Sequence, residues 1–149
     1  DPFVVHTVKD VMWSLLRDHV DIVFLNADEA TALSGKPPRD AVGAIASECN
    51  LKTVVVKLGS EGSLVWHQGE TVSVGIRKVQ ALDTTGAGDA YAGGFLYGVI
   101  SGWSPKRCGE LAAAVAALTV SQIGAVAKDR EALATLLHEI APKPIGDAE

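Results

Sequence analysis

The sequence contains only two cysteines, Cys49 and Cys108, and they lie far apart within predicted helices. Two isolated cysteines provide neither a disulfide framework nor the paired spacing of a zinc site. No apolar run reaches membrane-spanning length, and the first residues lack the layout of a signal peptide. We therefore expect a cytoplasmic protein that has no membrane partner.

Basic residues are also in deficit, with 13 lysines and arginines against 18 aspartates and glutamates and a net charge of −5. This balance argues against a surface that binds nucleic acid or anionic lipid. The 149 residues, 48% of them hydrophobic, are enough for one domain with a substantial core. We expect one domain, 1–149, with a small-molecule partner and a homodimer as a candidate assembly.

Hydrophobic periodicity alternates between strand and helix spacing along the chain. The short apolar run from Ile22 to Leu25 is typical of a buried parallel strand. This alternation indicates an α/β layered fold, with a largely parallel sheet flanked by helices. The predicted helices cover 7–19, 28–33, 39–49, 86–101, 105–122 and 129–139, and the predicted strands cover 22–25, 53–58, 63–67 and 71–75.

The segment 83–90 combines two glycines, a helix start and a carboxylate in the order Asp-Thr-Thr-Gly-Ala-Gly-Asp-Ala. Gly86 and Gly88 allow a sharp turn and a close approach of the backbone to a ligand. The N–H groups and the dipole of the following helix favour an anion such as phosphate. Asp89 would repel that anion unless it accepts the proton of a hydroxyl that attacks phosphorus. The alternative is that Asp89 is simply an acidic residue favoured by the helix dipole.

Three segments carry a resemblance to a known family. The run DTTGAGDAYAGGF resembles the signature D-T-x-G-A-G-D-x-F of the ribokinase/PfkB family of carbohydrate and nucleoside kinases, with Tyr91 at the last aromatic position. Residues 26–29, NADE, are similar to the family's N-x-x-E motif, and 54–62 to its strand and G-x-x-G turn. The resemblance implies a ribokinase-like fold. The family's N-terminal half and lid have no counterpart, so 1–149 is identified as the C-terminal, nucleotide-binding part.

The resemblance implies an ATP-dependent kinase that transfers the γ-phosphate to a hydroxymethyl group of a sugar or nucleoside. Asp89 would then be the general base, and the N–H groups of Gly86, Ala87 and Gly88 would hold the charge of the transferred phosphate. Asp83 and Asp89 would contact the substrate. The rival hypothesis is a catalytically inactive relative that serves as a scaffold or regulatory nucleotide-binding protein. The intact 83–89 segment argues against this rival.

The resemblance also implies metal sites. Asn26 and Glu29 would order the water shell of a Mg²⁺ ion at the phosphates, which suits a cation that keeps several waters. Asp83 and Thr85 would contribute to a monovalent cation site, with K⁺ as the candidate ion. Asn26 has an alternative role as a helix cap, and both roles can hold together.

Six further positions are implied as nucleotide contacts. Each has a purely structural alternative: a surface lysine, hairpin glycines, or close helix packing by alanines. The last glycine of the set is expected to end the alanine-rich helix, near the ribose or the cation. The six positions are Lys57, Gly59, Gly62, Ala113, Ala116 and Gly124.

Overall fold

The computed structural model describes residues 2–141, apart from the side chains at positions 2 and 6. The chain divides into two compact units, of which the first ends at Gly75 and the second begins at Ile76. The first unit contains the predicted alternation of strands and helices, and the regular structure described in the second consists of helices. The predicted α/β class is therefore confirmed.

The elements of the first unit follow the predicted order. A short helix that the periodicity does not predict, α1, comes first, and α2 starts two residues later than expected. The other elements lie within one residue of their predicted bounds. The elements are α1 (Pro2–Thr7), α2 (Lys9–His19), β1 (Ile22–Asn26), α3 (Ala27–Ser34), α4 (Pro38–Cys49), β2 (Thr53–Lys57), a 3-10 turn (Gly59–Glu61), β3 (Ser63–His67) and β4 (Glu70–Val74).

The four strands form one sheet in the order β1-β2-β3-β4. β1 and β2 are parallel, whereas β2 with β3 and β3 with β4 are antiparallel. The expectation of a largely parallel sheet is therefore wrong for the strands in the described part of the chain. The reason is the length of the connections. α3 and α4 carry the chain across between β1 and β2, while short turns reverse it before β3 and β4.

β2 lies between two neighbouring strands and is the most buried strand of the sheet. Its residues Val54, Val55 and Val56 are fully buried, as are Leu33 of α3 and Ile45 of α4. Burying one such side chain contributes about 1.5–3 kcal/mol relative to leaving it exposed. This core holds β2 in place and therefore fixes the position of the residues at its carboxyl end.

The second unit contains α5 (Ala87–Ile100), α6 (Pro105–Val120) and α7 (Arg130–Ile140). α5 and α6 pack closely because small residues face each other. A Cβ added to Gly94 would lie 3.0 Å from the Ala112 Cα, and one added to Gly98 would lie 2.9 Å from the Cys108 Sγ. Cys108 is a buried free thiol, as is Cys49 of α4. No helix described between residues 2 and 141 is long and apolar enough to cross a membrane.

We predict opposite effects of alanine at two adjacent glycines of α5. Gly94→Ala places a methyl group 3.0 Å from the Ala112 Cα, so the free energy of unfolding should fall by about 1–3 kcal/mol. Gly93→Ala meets nothing within 4 Å and should raise that free energy by roughly 0.5–1 kcal/mol, because alanine is the better helix former. Urea denaturation measures both variants. Equal effects at the two positions would contradict the close packing of α5 on α6.

Candidate active site

α5 begins at Gly86, which is left-handed (φ 76°, ψ 0°) and offers no side chain to cap the helix. The Ala87 N–H donates to the Thr84 carbonyl at 3.3 Å. Within residues 2–141, no acceptor pairs with the N–H groups of Gly88 and Asp89. These two donors lie at the positive end of a 14-residue helix, where an anion is favoured.

The two glycines of this segment have different conformations. Gly86 has a positive φ, whereas Gly88 lies within the regular turns of α5 and not among the positive-φ residues. The expectation that both glycines make the sharp turn is corrected: the turn is at Gly86. Glycine is also required there by packing, because an added Cβ would lie 2.7 Å from the Ala125 Cβ and collide with the Ala125 carbonyl oxygen.

Asp89 occupies the first turn of α5 with an exposed side chain. In the part of the chain that the structure describes, its carboxylate has no hydrogen-bond or ion-pair partner. The carboxylate can therefore accept a hydrogen bond from a substrate hydroxyl. The same position also fits the alternative of an acidic residue favoured by the helix dipole.

Asp83 has a role that the sequence analysis missed. Its Oδ1 accepts the Thr85 N–H at 2.9 Å, and its Oδ2 accepts the Gly124 N–H at 3.0 Å. Hydrogen bonding by the Thr85 side chain, together with the Thr85 and Gly124 N–H groups, holds the pKa of Asp83 below its ordinary value. Asp83 and Gly124 are 41 residues apart, so no local pattern could have indicated this contact.

Gly124 lies in a loop rather than at the end of a helix. α6 ends at Val120 with Ser121 as its cap, so the predicted helix end at 122 and the prediction that Gly124 ends this helix are corrected. Gly124 has φ 108° and lies in the 121–126 loop, which follows α6. The Leu82 N–H donates to the Val120 carbonyl at 2.8 Å, so the segment before Asp83 runs beside this loop.

Asn26 and Glu29 form a capping box at the start of α3. Asn26 Oδ1 accepts the Glu29 N–H at 2.8 Å, and Glu29 Oε2 accepts the Asn26 N–H at 2.9 Å. The helix-cap alternative for Asn26 is therefore confirmed. Burial acts to raise the pKa of Glu29, and the Asn26 N–H and the charge of Lys57 act to lower it.

Lys57 lies beside Asn26 at the carboxyl ends of the parallel pair β1 and β2, where the register pairs the two residues. Both side chains are half-buried. In open α/β sheets, ligands bind at the carboxyl ends of parallel strands. The first unit therefore brings Asn26, Glu29 and Lys57 together. Two of these side chains carry oxygen atoms, and the lysine side chain is positively charged.

The two glycines that follow β2 differ in whether packing requires glycine at their position. Gly62 has φ 92°, and a Cβ there would collide with the Val74 carbonyl oxygen of β4, so the hairpin alternative accounts for this glycine. Gly59 also has a positive φ (60°), but a Cβ there would meet nothing within 4 Å. Its backbone therefore faces open space that a ligand can approach.

Ala113 and Ala116 lie one helical turn apart on α6 and are half-buried, whereas Ala112, Ala114 and Ala117 are buried. Ala112 is the residue that packs on α5, so close helix packing explains part of the alanine-rich run.

A groove of about 780 Å³ also lies among α2, α3 and α4, lined by Lys9, Trp13, Arg17 and others. None of the predicted site residues lines this groove.

The α/β fold and the start of α5 are those of a ribokinase-like protein. A model of the pfkB family of carbohydrate kinases matches residues 1–132, and the chain belongs to this family. Ribokinase from Arabidopsis thaliana is 36% identical over 132 residues, which are 82% of this chain and 35% of that protein.

Three solved structures show the fold. Adenosine kinase from Sinorhizobium meliloti matches with TM-score 0.84 and 40% identity, over 95% of this chain and 43% of that chain. Arabidopsis thaliana ribokinase complexed with ribose and ATP has TM-score 0.72 and 36% identity, over 84% of this chain and 43% of that chain. A fructokinase double mutant from Vibrio cholerae, bound to fructose, ADP and potassium ion, has TM-score 0.74 and 28% identity, over 92% and 46%. This chain thus spans less than half the length of each relative.

We predict that Gly62 tolerates a side chain much less well than Gly69. Both residues have a positive φ, 92° and 95°, so alanine is strained at each position. Only Gly62→Ala also collides with β4, whereas Gly69→Ala meets nothing within 4 Å. The free energy of unfolding should therefore be lower for Gly62→Ala than for Gly69→Ala, by ~1–3 kcal/mol. If urea denaturation gives equal losses, the hairpin does not explain Gly62.

Proposed function

We propose that the protein carrying this chain is an ATP-dependent kinase that transfers the γ-phosphate to a hydroxymethyl group of a sugar or nucleoside. Membership of the pfkB family supports the general reaction. Relatives named for ribose, fructose and adenosine support an acceptor of either class. The observation that carries the proposal is the start of α5, where two N–H groups without a described acceptor adjoin a carboxylate without a described partner.

In the proposed reaction, the acceptor hydroxyl oxygen forms a bond to the γ-phosphorus, and the bond from this phosphorus to the bridging oxygen of ADP breaks. The hydroxyl proton passes to the Asp89 carboxylate, which acts as general base. The N–H groups of Gly86, Gly88 and Asp89 stabilise the negative charge on the transferred group, whereas the Ala87 N–H is already donated to the Thr84 carbonyl. This arrangement suits phosphoryl transfer, which depends on positioning and charge stabilisation more than on covalent chemistry.

We assign nucleotide and magnesium contacts separately in each unit. In the first unit, Asn26 and Glu29 would hold Mg²⁺ through its water shell, and the ion would neutralise phosphate charge when bound. Magnesium usually keeps several waters and needs only one or two carboxylates beside the substrate phosphates, so the single carboxylate of Glu29 suits this role. The proposed nucleotide contacts are Lys57, Gly59 and Gly62 in the first unit and Ala113, Ala116 and Gly124 in the second.

Asp83 and Thr85 are assigned to the acceptor hydroxyl and to a monovalent cation, with K⁺ as the candidate. The Asp83 carboxylate accepts two N–H groups and a hydrogen bond from the Thr85 side chain. An ionised carboxylate has about four lone-pair sites, so one remains for further coordination. A related fructokinase has been solved with potassium ion bound, which supports the assignment.

We predict that Asp89→Asn in the full-length protein lowers turnover while nucleotide affinity stays nearly intact. An amide cannot accept the hydroxyl proton, and a positioned general base contributes about 10²- to 10⁴-fold. The measurements are kcat with a panel of sugars and nucleosides and the Kd for ATP.

Asp40→Asn is the matched control for this experiment. Asp40 is an exposed aspartate in the first turn of α4, the same helical position that Asp89 has in α5, so both variants lose a similar helix-dipole contribution. Asp40→Asn should leave kcat unchanged. Near-normal turnover in Asp89→Asn would remove Asp89 from the mechanism. A wild-type protein that binds ATP but phosphorylates no acceptor would favour the non-catalytic alternative.

A second prediction separates the two roles of Asn26. Aspartate caps a helix as well as asparagine does, so Asn26→Asp should preserve the stability that Asn26→Ala loses, about 0.5–2 kcal/mol. If Asn26 also lies near the phosphates, the added negative charge should weaken ATP binding by roughly fivefold or more. Thermal denaturation and ATP titration of both variants measure these effects. Unchanged ATP affinity in Asn26→Asp would leave Asn26 as a cap alone.

A further inference from the structure

One carboxylate connects two segments of the second unit that are distant in sequence. The bond from the Thr85 N–H to Asp83 Oδ1 (2.9 Å) closes the turn that leads into α5. The bond from the Gly124 N–H to Asp83 Oδ2 (3.0 Å) holds the 121–126 loop. Hydrogen bonds to an ionised carboxylate are about twice as strong as bonds between neutral groups.

The same two segments also touch through their backbones. A Cβ on Gly86 would lie 2.7 Å from the Ala125 Cβ, so the loop rests directly on the residue that starts α5. The Gly86 carbonyl in turn accepts the Ala90 N–H at 2.9 Å, which is the first hydrogen bond of that helix. A displacement of the 121–126 loop would therefore reach the first turn of α5.

We propose that Asp83 is a positioning residue whose carboxylate ties the 121–126 loop to the start of α5 and thereby sets the direction of the Gly88 and Asp89 N–H groups. The proposal rests on the proposed function of those groups as an anion site. It needs no bound cation, because both contacts are made by backbone N–H groups of this chain.

Charge and positioning predict opposite results for Asp83→Asn. The variant removes a negative charge from the segment that leads into the anion site, so an effect of charge alone would make phosphate bind more tightly. The asparagine Nδ2 group cannot accept a hydrogen bond, so one of the two N–H contacts is also lost. If Asp83 positions the donors, phosphate should bind more weakly in spite of the favourable change in charge.

The experiment follows the Gly88 and Asp89 amides by NMR while inorganic phosphate is added, and it measures hydrogen exchange at Gly124 and Ala90. For Asp83→Asn we expect weaker phosphate binding and exchange at Gly124 and Ala90 that is faster by roughly tenfold, as for the loss of one hydrogen bond to a charged group. Asp129→Ala is the matched control. Asp129 accepts the Ala132 N–H at 2.9 Å in the same unit, as the cap of α7. This control should leave phosphate binding and both exchange rates unchanged.

Tighter phosphate binding in Asp83→Asn, or unchanged exchange at Ala90, would overturn the proposal. The same changes in Asp129→Ala would also overturn it, since they would reflect a general loss of stability. If the wild-type Gly88 and Asp89 amides do not respond to phosphate, the proposed anion site is wrong. The Ala90 exchange rate then decides the positioning role by itself: faster exchange in Asp83→Asn supports it, and an unchanged rate excludes it.

Discussion

The structure depends on backbones that approach each other more closely than a side chain would allow. Gly62 lets the turn after β2 lie against the Val74 carbonyl, and Gly94 lets α5 lie against Ala112 of α6. Gly86 does the same between the start of α5 and Ala125. Because glycine is the residue without a Cβ, these contacts by themselves require glycine at the three positions. At Gly86 the packing requirement and the candidate anion site coincide.

Helix starts distinguish the two motifs that the resemblance places near the phosphates, residues 26–29 at the start of α3 and residues 83–89 at the start of α5. α3, α6 and α7 each begin at a residue whose side chain accepts a backbone N–H, namely Asn26, Ser104 and Asp129. In α3 the capping box therefore already uses an N–H group that an anion would need. α5 begins at a glycine, and its second and third N–H groups have no acceptor among the described residues. Of these two helix starts, α5 is therefore the one whose backbone N–H groups are available to an anion.

Local patterns predicted most of the fold, and contacts between distant residues account for what they missed. Val54–Val56 reads as a buried strand because its apolar run is continuous, but such a run does not reveal whether its neighbours are parallel. The short connection through Gly59–Glu61 decides that β2 pairs with β3 in the antiparallel sense. The capping box of Asn26 could be foreseen because it joins residues three apart. The contact between Asp83 and Gly124 leaves no trace in either local sequence.

The three acidic residues of the candidate site differ in how much of their hydrogen-bonding capacity the fold uses. Both carboxylate oxygens of Asp83 accept backbone N–H groups, and the Glu29 carboxylate accepts the Asn26 N–H. A carboxylate held in this way positions the backbone, and protonating it would weaken those bonds. Asp89 is exposed and has no such partner in the described chain. A general base must accept a proton without dismantling the site around it. Of the three acids, Asp89 is the one that meets this requirement.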